Sequence, residues 1–276
     1  MVVLVTGAAG QLGQALQYIS GNFPQFEFVY CTSSELNIAD LQNCESVFEK
    51  YHPHFCINAA AYTAVDKAES EPEKAYSINV TGAENLAKVC KKHNAVLLHV
   101  STDFVFDGTK NSPYKEEDAT NPLGVYGKTK LEGEQVIQKT WEKHIIVRTS
   151  WVYSQFGNNF YKTMLRLAKE RDELSVVSDQ IGCPTNAVDL AEFLIRIIVK
   201  VNTVSSAEIG VLFGTYHFSG DEVMSWFDFA LKIFKENNVQ ITVHPIPTSA
   251  YPTPAKRPAY SVMDTYKAKT VFEIKN

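Results

Sequence analysis

Over the first 150 residues, short apolar runs alternate with longer amphipathic stretches. The runs are VVLV (2–5), FEFVY (26–30), FCIN (55–58), VLLHV (96–100) and HIIVRT (144–149). Between them, apolar positions recur at helical spacing over about 11–20, 41–50, 72–93 and 123–139. Strands that are apolar at consecutive positions need cover on both faces, and a strand–helix repeat supplies it. The pattern therefore predicts an α/β fold, a Rossmann-like doubly wound parallel sheet.

After Thr149 the alternation loosens. Helices are expected over 159–171, 187–200 and 224–237, with short strands at 174–177 and 215–218. The stretch PIPTSAYPTPAKRP (245–258) holds too much proline for an interior helix or strand, so it is expected to wrap a surface. No repeat or long linker separates the two regions. The expected division is a dinucleotide-binding domain over 1–150 plus about 174–213, with a smaller, interleaved C-terminal substrate-binding region over about 151–173 and 214–276.

Composition adds mainly exclusions. With 45% hydrophobic and 21% charged residues among 276, the chain has an ordinary soluble globular make-up. A net charge of −5 gives no reason to expect a nucleic-acid partner. Cys31, Cys44, Cys56, Cys90 and Cys183 are odd in number and lack metal-ligand spacing, which suits small core residues in a reducing cytoplasm. His52 and His54 flank Pro53 in an expected loop, and no metal site is expected. The longest apolar run, FLIRIIVKV (193–201), is broken by Arg196 and Lys200 and reads as a core helix, not a membrane span. The opening MVVLVTGAAG is expected to start the fold directly, with no leader.

Chemistry concentrates at the strand ends. TGAAGQLG (6–13) spaces Gly7, Gly10 and Gly13 three apart, between the first strand and the first helix. There, glycines let a pyrophosphate approach the backbone, and the helix's free N–H groups face it. The second strand ends in Cys31-Thr32-Ser33-Ser34, with neither a carboxylate for a ribose 2′-hydroxyl nor an arginine for a 2′-phosphate. The hydroxyls suit either nicotinamide dinucleotide, with a lean toward NADPH over NADH because no carboxylate repels the phosphate. Asp40 follows, where both an adenine contact and a helix N-cap are open to it.

In YGKTKL (126–131), Tyr126 and Lys130 share a helix face, while Lys128 points nearly opposite. A neighbouring ammonium stabilises a phenolate, so Lys130 is expected to lower the pKa of Tyr126 and make it a usable proton donor. Ser101 and Thr102 sit at the end of the fourth strand, where a hydroxyl can hold a carbonyl. Trp151 follows the fifth strand, open to a sugar face or to a core role. Asn158 and Asn159 suit helix capping, and Lys256 and Arg257 suit either a diphosphate or the solvent.

Together GAAGQLG (7–13), NAAAYTAVDKAESEP (58–72), VSTDFVFDG (100–108) and VYGKTKLEGE (125–134) resemble the extended short-chain dehydrogenase/reductases. RTSWVYSQFGNNF (148–160), MLRLAKER (164–171), DQIGCPT (179–185) and TSAYPTPAKRPAYS (248–261) narrow the resemblance to the branch that reduces dTDP-linked 4-keto sugars. That resemblance implies reduction of the C4 ketone of dTDP-6-deoxy-L-lyxo-4-hexulose by NAD(P)H to dTDP-L-rhamnose, in nucleotide-sugar and cell-surface polysaccharide biosynthesis. It implies Tyr126, Lys130 and Thr102 as catalytic residues, and Thr102, Asp103 and Trp151 as sugar contacts. It implies cofactor contacts from Gly7, Gly10, Gln11, Leu12 and Gly13, from Asp40 and Leu41, from Ala61, Tyr62 and Thr63, and from Tyr126 and Lys130.

Two other readings remain at this point. One is a sugar-nucleotide epimerase or dehydratase, although Asp103 is followed by Phe104 where dehydratases carry a glutamate. The other is a non-catalytic, NADP-binding regulatory subunit. The chain stops at VFEIKN, short of the acidic segment used in the family's metal-assisted dimer, so no structural magnesium is expected and a homodimer is left open.

Overall fold

The computed structural model describes residues 1–205 and 209–274. The first half alternates regularly: β1 (Val2–Thr6), α1 (Gln11–Ile19), β2 (Glu27–Cys31), α2 (Leu41–Tyr51) and β3 (Phe55–Asn58). Short helices α3 (Val65–Ala68) and α4 (Pro72–Tyr76) lead to α5 (Gly82–Lys92), β4 (Val96–Thr102), α6 (Val125–Thr140) and β5 (His144–Thr149). The second half brings β6 (Val152–Tyr153), α7 (Phe160–Leu167), β7 (Glu173–Val177), β8 (Ile181–Gly182), β9 (Thr185–Asn186) and α8 (Ala187–Thr203). It continues with β10 (Gly214–His217), β11 (Met224–Ser225), α9 (Trp226–Glu236), β12 (Thr242–Ile246) and α10 (Tyr266–Val271).

Six strands form one parallel sheet in the order β10-β5-β4-β3-β1-β2. Strand direction and alternation explain its two covers. Val3 and Val5 of β1 face a layer that includes Leu16 of α1 and Leu194 and Ile198 of α8, whereas Leu4 faces Phe48 of α2 and Leu86 of α5. Each fully buried Leu, Ile or Phe in these layers stabilises the fold by about 1.5–3 kcal/mol. The register aligns Thr6 with Asn58 and Asn58 with His99, so three polar side chains lie in one row across the sheet. The chain order reverses between β1 and β3, which opens a crevice at the C-terminal strand ends.

The helix expected over 72–93 bulges. α4 starts with Pro72 and passes through a π-helical turn at Ser77–Thr81 before α5. The wider turn places the Asn79 amide against both backbone groups of Tyr62, accepting from its N–H at 2.8 Å and donating to its carbonyl at 3.2 Å.

The second region divides differently from the expected partition. β7 pairs with β12, in a separate core with Met164, Phe229 and Phe234. β10 instead forms the sixth strand of the main sheet beside β5. The reason is side-chain patterning: Glu173–Val177 is exposed at alternate positions, as a strand covered on one face must be, whereas Tyr216 and His217 are buried. Within the proline-rich stretch, Pro245 lies in a two-stranded edge pair where its missing N–H costs nothing to a larger ladder. The five cysteines are free and buried. Among the described residues, no helix is long and apolar enough to cross a membrane.

Candidate active site

The loop after β1 is shaped by close backbone approach. Gly7 has φ 65°, and a Cβ there would meet the Ala60 nitrogen at 2.7 Å. A Cβ on Gly13 would lie 2.5 Å from the Gly7 carbonyl oxygen. Gly10 is the N-cap of α1 and supplies no side-chain cap, so the helix's first N–H groups are left for an anion. Gln11 ties this loop to the second region: its amide donates to the Val152 carbonyl at 3.0 Å, and its oxygen accepts from Ser154 and Asn159, each at 3.2 Å. Asn159 also caps α7, accepting from the Lys162 N–H at 3.0 Å.

A cavity of about 970 Å³ opens from this loop along the strand ends. Its wall brings together Gly7, Gly10, Gln11, Leu12, Ala61, Thr63, Thr102, Asp103, Tyr126, Lys130 and Trp151. Four other sequence candidates are placed elsewhere. Gly13 packs beneath the loop. Asp40 is occupied as the N-cap of α2, accepting from Gln42 and Asn43 at 3.0 and 3.2 Å. Leu41, on the same turn, is exposed. Tyr62 is buried, with its hydroxyl donating to Glu71 at 2.8 Å. The wall near Asp40 is made by Ser33, Leu36, Asn37 and Ile38 instead. Glu35 caps the turn after β2, accepting from both the N–H and the hydroxyl of Thr32 at 2.8 Å.

Tyr126 and Lys130 share the cavity wall, while Lys128 is exposed. Lys130 is 2% exposed, and its Nζ donates to the Val100 carbonyl at 2.7 Å and lies 3.3 Å from His99 Nε2. Burial lowers its pKa to about 8, with Glu134 one turn on opposing that fall. The expected lowering of the phenol is corrected here. Although part of the ring reaches the cavity, the surrounding protein desolvates the phenolate and pushes Tyr126 up to about 12. The neighbouring Thr102 hydroxyl works against the rise, the charge of Asp103 adds to it, and Lys130 does not lower it. Behind the pair, Arg148 and Glu134 form a buried ion pair at 2.7 Å, and the Ser101 hydroxyl donates to the same carboxylate at 2.5 Å. Ser101 therefore serves the support of the site.

At the β4 end of the cavity, the Thr102 hydroxyl donates to Asp103 Oδ1 at 3.0 Å and accepts from the Phe104 N–H at 3.1 Å. Asp103 is 2% exposed, and its Oδ2 has no hydrogen-bond partner among the described residues. Burial raises its carboxyl to about 6. Trp151, at φ 49°, stacks on Trp226 with centroids 3.6 Å apart and planes at 7°. Gly182 packs against the indole so closely that a Cβ would come within 2.6 Å.

Trp226 was not legible as a site residue, because its only local signal is a helix start capped by Ser225 and Asp228. Thr149, whose buried hydroxyl has no partner among the described residues, and Arg257 also line the cavity. Arg257 is held by Asp66 through bonds of 3.1 and 2.8 Å. Phe160, Trp226 and Arg257 lead into a second cavity of about 870 Å³ between α7, β7 and the 250–257 segment.

A phosphate-approach loop, a Tyr–Lys pair one helical turn apart and a strand-end threonine on a doubly wound parallel sheet define an oxidoreductase of the extended short-chain dehydrogenase/reductase class. Comparison with known proteins narrows this. The family model described as RmlD substrate binding domain matches residues 1–276. A dTDP-4-dehydrorhamnose reductase of Aggregatibacter actinomycetemcomitans is 46% identical, over 99% of this chain and 93% of its own. A crystal structure of dTDP-4-dehydrorhamnose reductase from Bacillus anthracis str. Ames in complex with NADP superposes with a TM-score of 0.91 at 40% identity, covering 98% of this chain and 92% of that one. The Clostridium acetobutylicum ATCC 824 structure of a dTDP-4-dehydrorhamnose reductase gives 0.90 at 41%, covering 96% and 91%. The chain belongs to the dTDP-4-dehydrorhamnose reductase family.

Proposed function

We propose that the protein reduces the C4 ketone of a dTDP-linked 4-keto-6-deoxy sugar with NADPH, giving dTDP-L-rhamnose. The observation that carries this reading is the single cavity that joins an uncapped, glycine-lined helix start to Tyr126, Lys130 and Thr102, in a chain of this family. The dinucleotide fits the residues present: the glycines would admit its pyrophosphate, Ser33 would flank its adenosine end, and Lys130 would stand by its nicotinamide end. When bound, it supplies the hydride.

The chain's own residues do the rest. Thr102 presents a hydroxyl to the carbonyl oxygen. Tyr126, at about 12, stays protonated at neutral pH, and in the reductive direction that is the useful state. An alkoxide's conjugate acid is about as weak as water, weaker than the phenol even as raised by burial, so the proton passes downhill from Tyr126. Lys130, one helical turn on along the same cavity wall, would hold the nicotinamide ribose. Asp103 and the Trp151–Trp226 stack border the sugar, and the second cavity, with Arg257 at its mouth, suits the nucleotide.

The absence, among the described residues, of a helix long and apolar enough to cross a membrane fits a cytoplasmic place, with a dTDP-sugar as the small-molecule partner. The test is to mix the protein with NADPH and the 4-keto sugar nucleotide, generated in situ, and to follow the reduced-nicotinamide absorbance. Stoichiometric NADPH consumption with release of NADP+ is expected. Normal cofactor binding without consumption would favour a regulatory role, and turnover with the cofactor retained would favour an epimerase.

A further inference from the structure

Thr6, Asn58 and His99 are register partners on β1, β3 and β4, on the sheet face toward which Lys130 reaches from α6. Their contacts join into a chain: Thr6 Oγ1 to Asn58 Oδ1 at 2.7 Å, Asn58 Nδ2 to His99 Nδ1 at 2.9 Å, and His99 Nε2 to Lys130 Nζ at 3.3 Å. One end meets the Ala60 N–H, 3.2 Å from both Thr6 Oγ1 and Asn58 Oδ1, beside Gly7. The other end meets the Val100 carbonyl, 2.7 Å from Nζ. None of the four side chains is more than 2% exposed, so each contact must set a donor against an acceptor.

A neutral imidazole has one N–H, so only one of its nitrogens donates. With Lys130 as an ammonium, Nε2 accepts. Nδ1–H then donates to the Asn58 oxygen, and the Asn58 amide nitrogen turns to Thr6. With Lys130 as a neutral amine, Nε2–H donates to the amine's lone pair. Nδ1 then accepts from the Asn58 amide, and the Asn58 oxygen accepts from Thr6 and from the Ala60 N–H. The bonds between the four side chains reverse together, while the fixed Ala60 N–H gives up the Asn58 oxygen and keeps Thr6 Oγ1 as its acceptor, so the direction of the chain and the proton count of Lys130 are one variable.

We propose that His99 is a positioning residue for Lys130, holding Nζ against the Val100 carbonyl and exchanging tautomer, together with the Asn58 amide, as that amine gains or loses its proton. Glu134 on its own helix and His99 on β4 act on the amine directly, and the other charged or titratable groups on the elements packed about it are Tyr126 on α6, Asp103 after β4, and His144 and Arg148 on β5. Burial holds His99 well below its ordinary pKa, so the ring stays neutral while the lysine titrates. The Asn58 amide adjoins the Ala60 N–H at the foot of the phosphate loop, so the state of the amine is felt at the cofactor end of the cavity.

This proposal rests on the reductase reading of Lys130, but its first test needs no turnover. The probe is 15N-histidine protein without cofactor, with His99 assigned by the loss of its signal in His99→Gln. From about pH 6 to about pH 9.5, His99 should remain neutral and pass from the Nδ1–H to the Nε2–H tautomer, with a midpoint near 8. A single tautomer throughout, or an imidazolium, overturns the proposal. The second test is the pH profile of kcat/KM. In His99→Leu the ammonium loses an acceptor, so the basic limb should move down by about half a pH unit or more, roughly threefold, while His99→Gln keeps it near wild type. An unmoved limb in folded His99→Leu also overturns it. Absence of any turnover would sink the reductase reading yet leave the tautomer result standing.

Discussion

Replacing Asp103 by asparagine should stabilise the protein. The carboxyl is 2% exposed, keeps one oxygen without a partner among the described residues, and is raised by burial from its ordinary 3.8 to about 6. At about 1.36 kcal/mol per pKa unit, that rise corresponds to roughly 3 kcal/mol of native stability held back at neutral pH. The sign follows from linkage. A carboxyl whose folded pKa exceeds its unfolded value contributes fully below the unfolded pKa, and that contribution is lost as pH rises through the folded one. The penalty is thus absent below 3.8 and complete above about 6. Asparagine keeps an oxygen for the Thr102 hydroxyl and never ionises, so about 1–3 kcal/mol should be recovered, a Tm gain of a few degrees to about 10 °C. Urea unfolding of both proteins at about pH 4 and about pH 7.5 is the assay. The gap should appear at the higher pH and close at the lower, while activity falls because Asp103 lines the cavity proposed for the sugar. A variant no more stable than wild type at about pH 7.5, or a gap indifferent to pH, would refute the reasoning.

Two further substitutions probe the sugar end. Gly182→Ala puts a methyl within 2.6 Å of the Trp151 indole. It should cost about 1–3 kcal/mol in stability and raise KM for the sugar nucleotide with little change in NADPH affinity, both measurable by unfolding and steady-state kinetics. Asp66→Asn frees Arg257 from its carboxylate. Because the pair is partly exposed, the stability loss should stay within about 1 kcal/mol, while KM for the sugar nucleotide shifts severalfold in initial-rate measurements.

The main sheet and its flanking helices were legible because strand and helix periods differ and the strands VVLV, FCIN and HIIVRT are buried on both faces. The glycine loop and the Tyr126–Lys130 spacing were legible because both are local. What escaped is non-local or continuous with its surroundings. The π-helical turn at Ser77–Thr81 contains neither proline nor glycine, and the Gly82 that follows it stays helical, so the periodicity runs through it unbroken. Trp226 meets Trp151 only through the packing of α9 on the second region. The buried Tyr216 and His217 suit β10 to the main sheet, but its partner β5 lies far earlier in the chain and nothing local in Gly214–His217 points to it. The phenol's rise to about 12 is a desolvation effect, and spacing along a helix carries no record of how much water the fold removes. As the proposed proton donor Tyr126 has to be protonated, and burial favours that state rather than opposing it.

The most direct test of the account is single-turnover reduction at saturating NADPH and 4-keto sugar nucleotide, comparing wild type, Tyr126→Phe and Lys128→Ala. Loss of the phenolic proton donor should slow NADPH oxidation by about 10²–10⁴-fold with cofactor affinity nearly unchanged, and the exposed Lys128 should tolerate its change. A Tyr126→Phe rate within a few-fold of wild type, or equal losses in both variants, would contradict the assignment of Tyr126 as the group that delivers the proton.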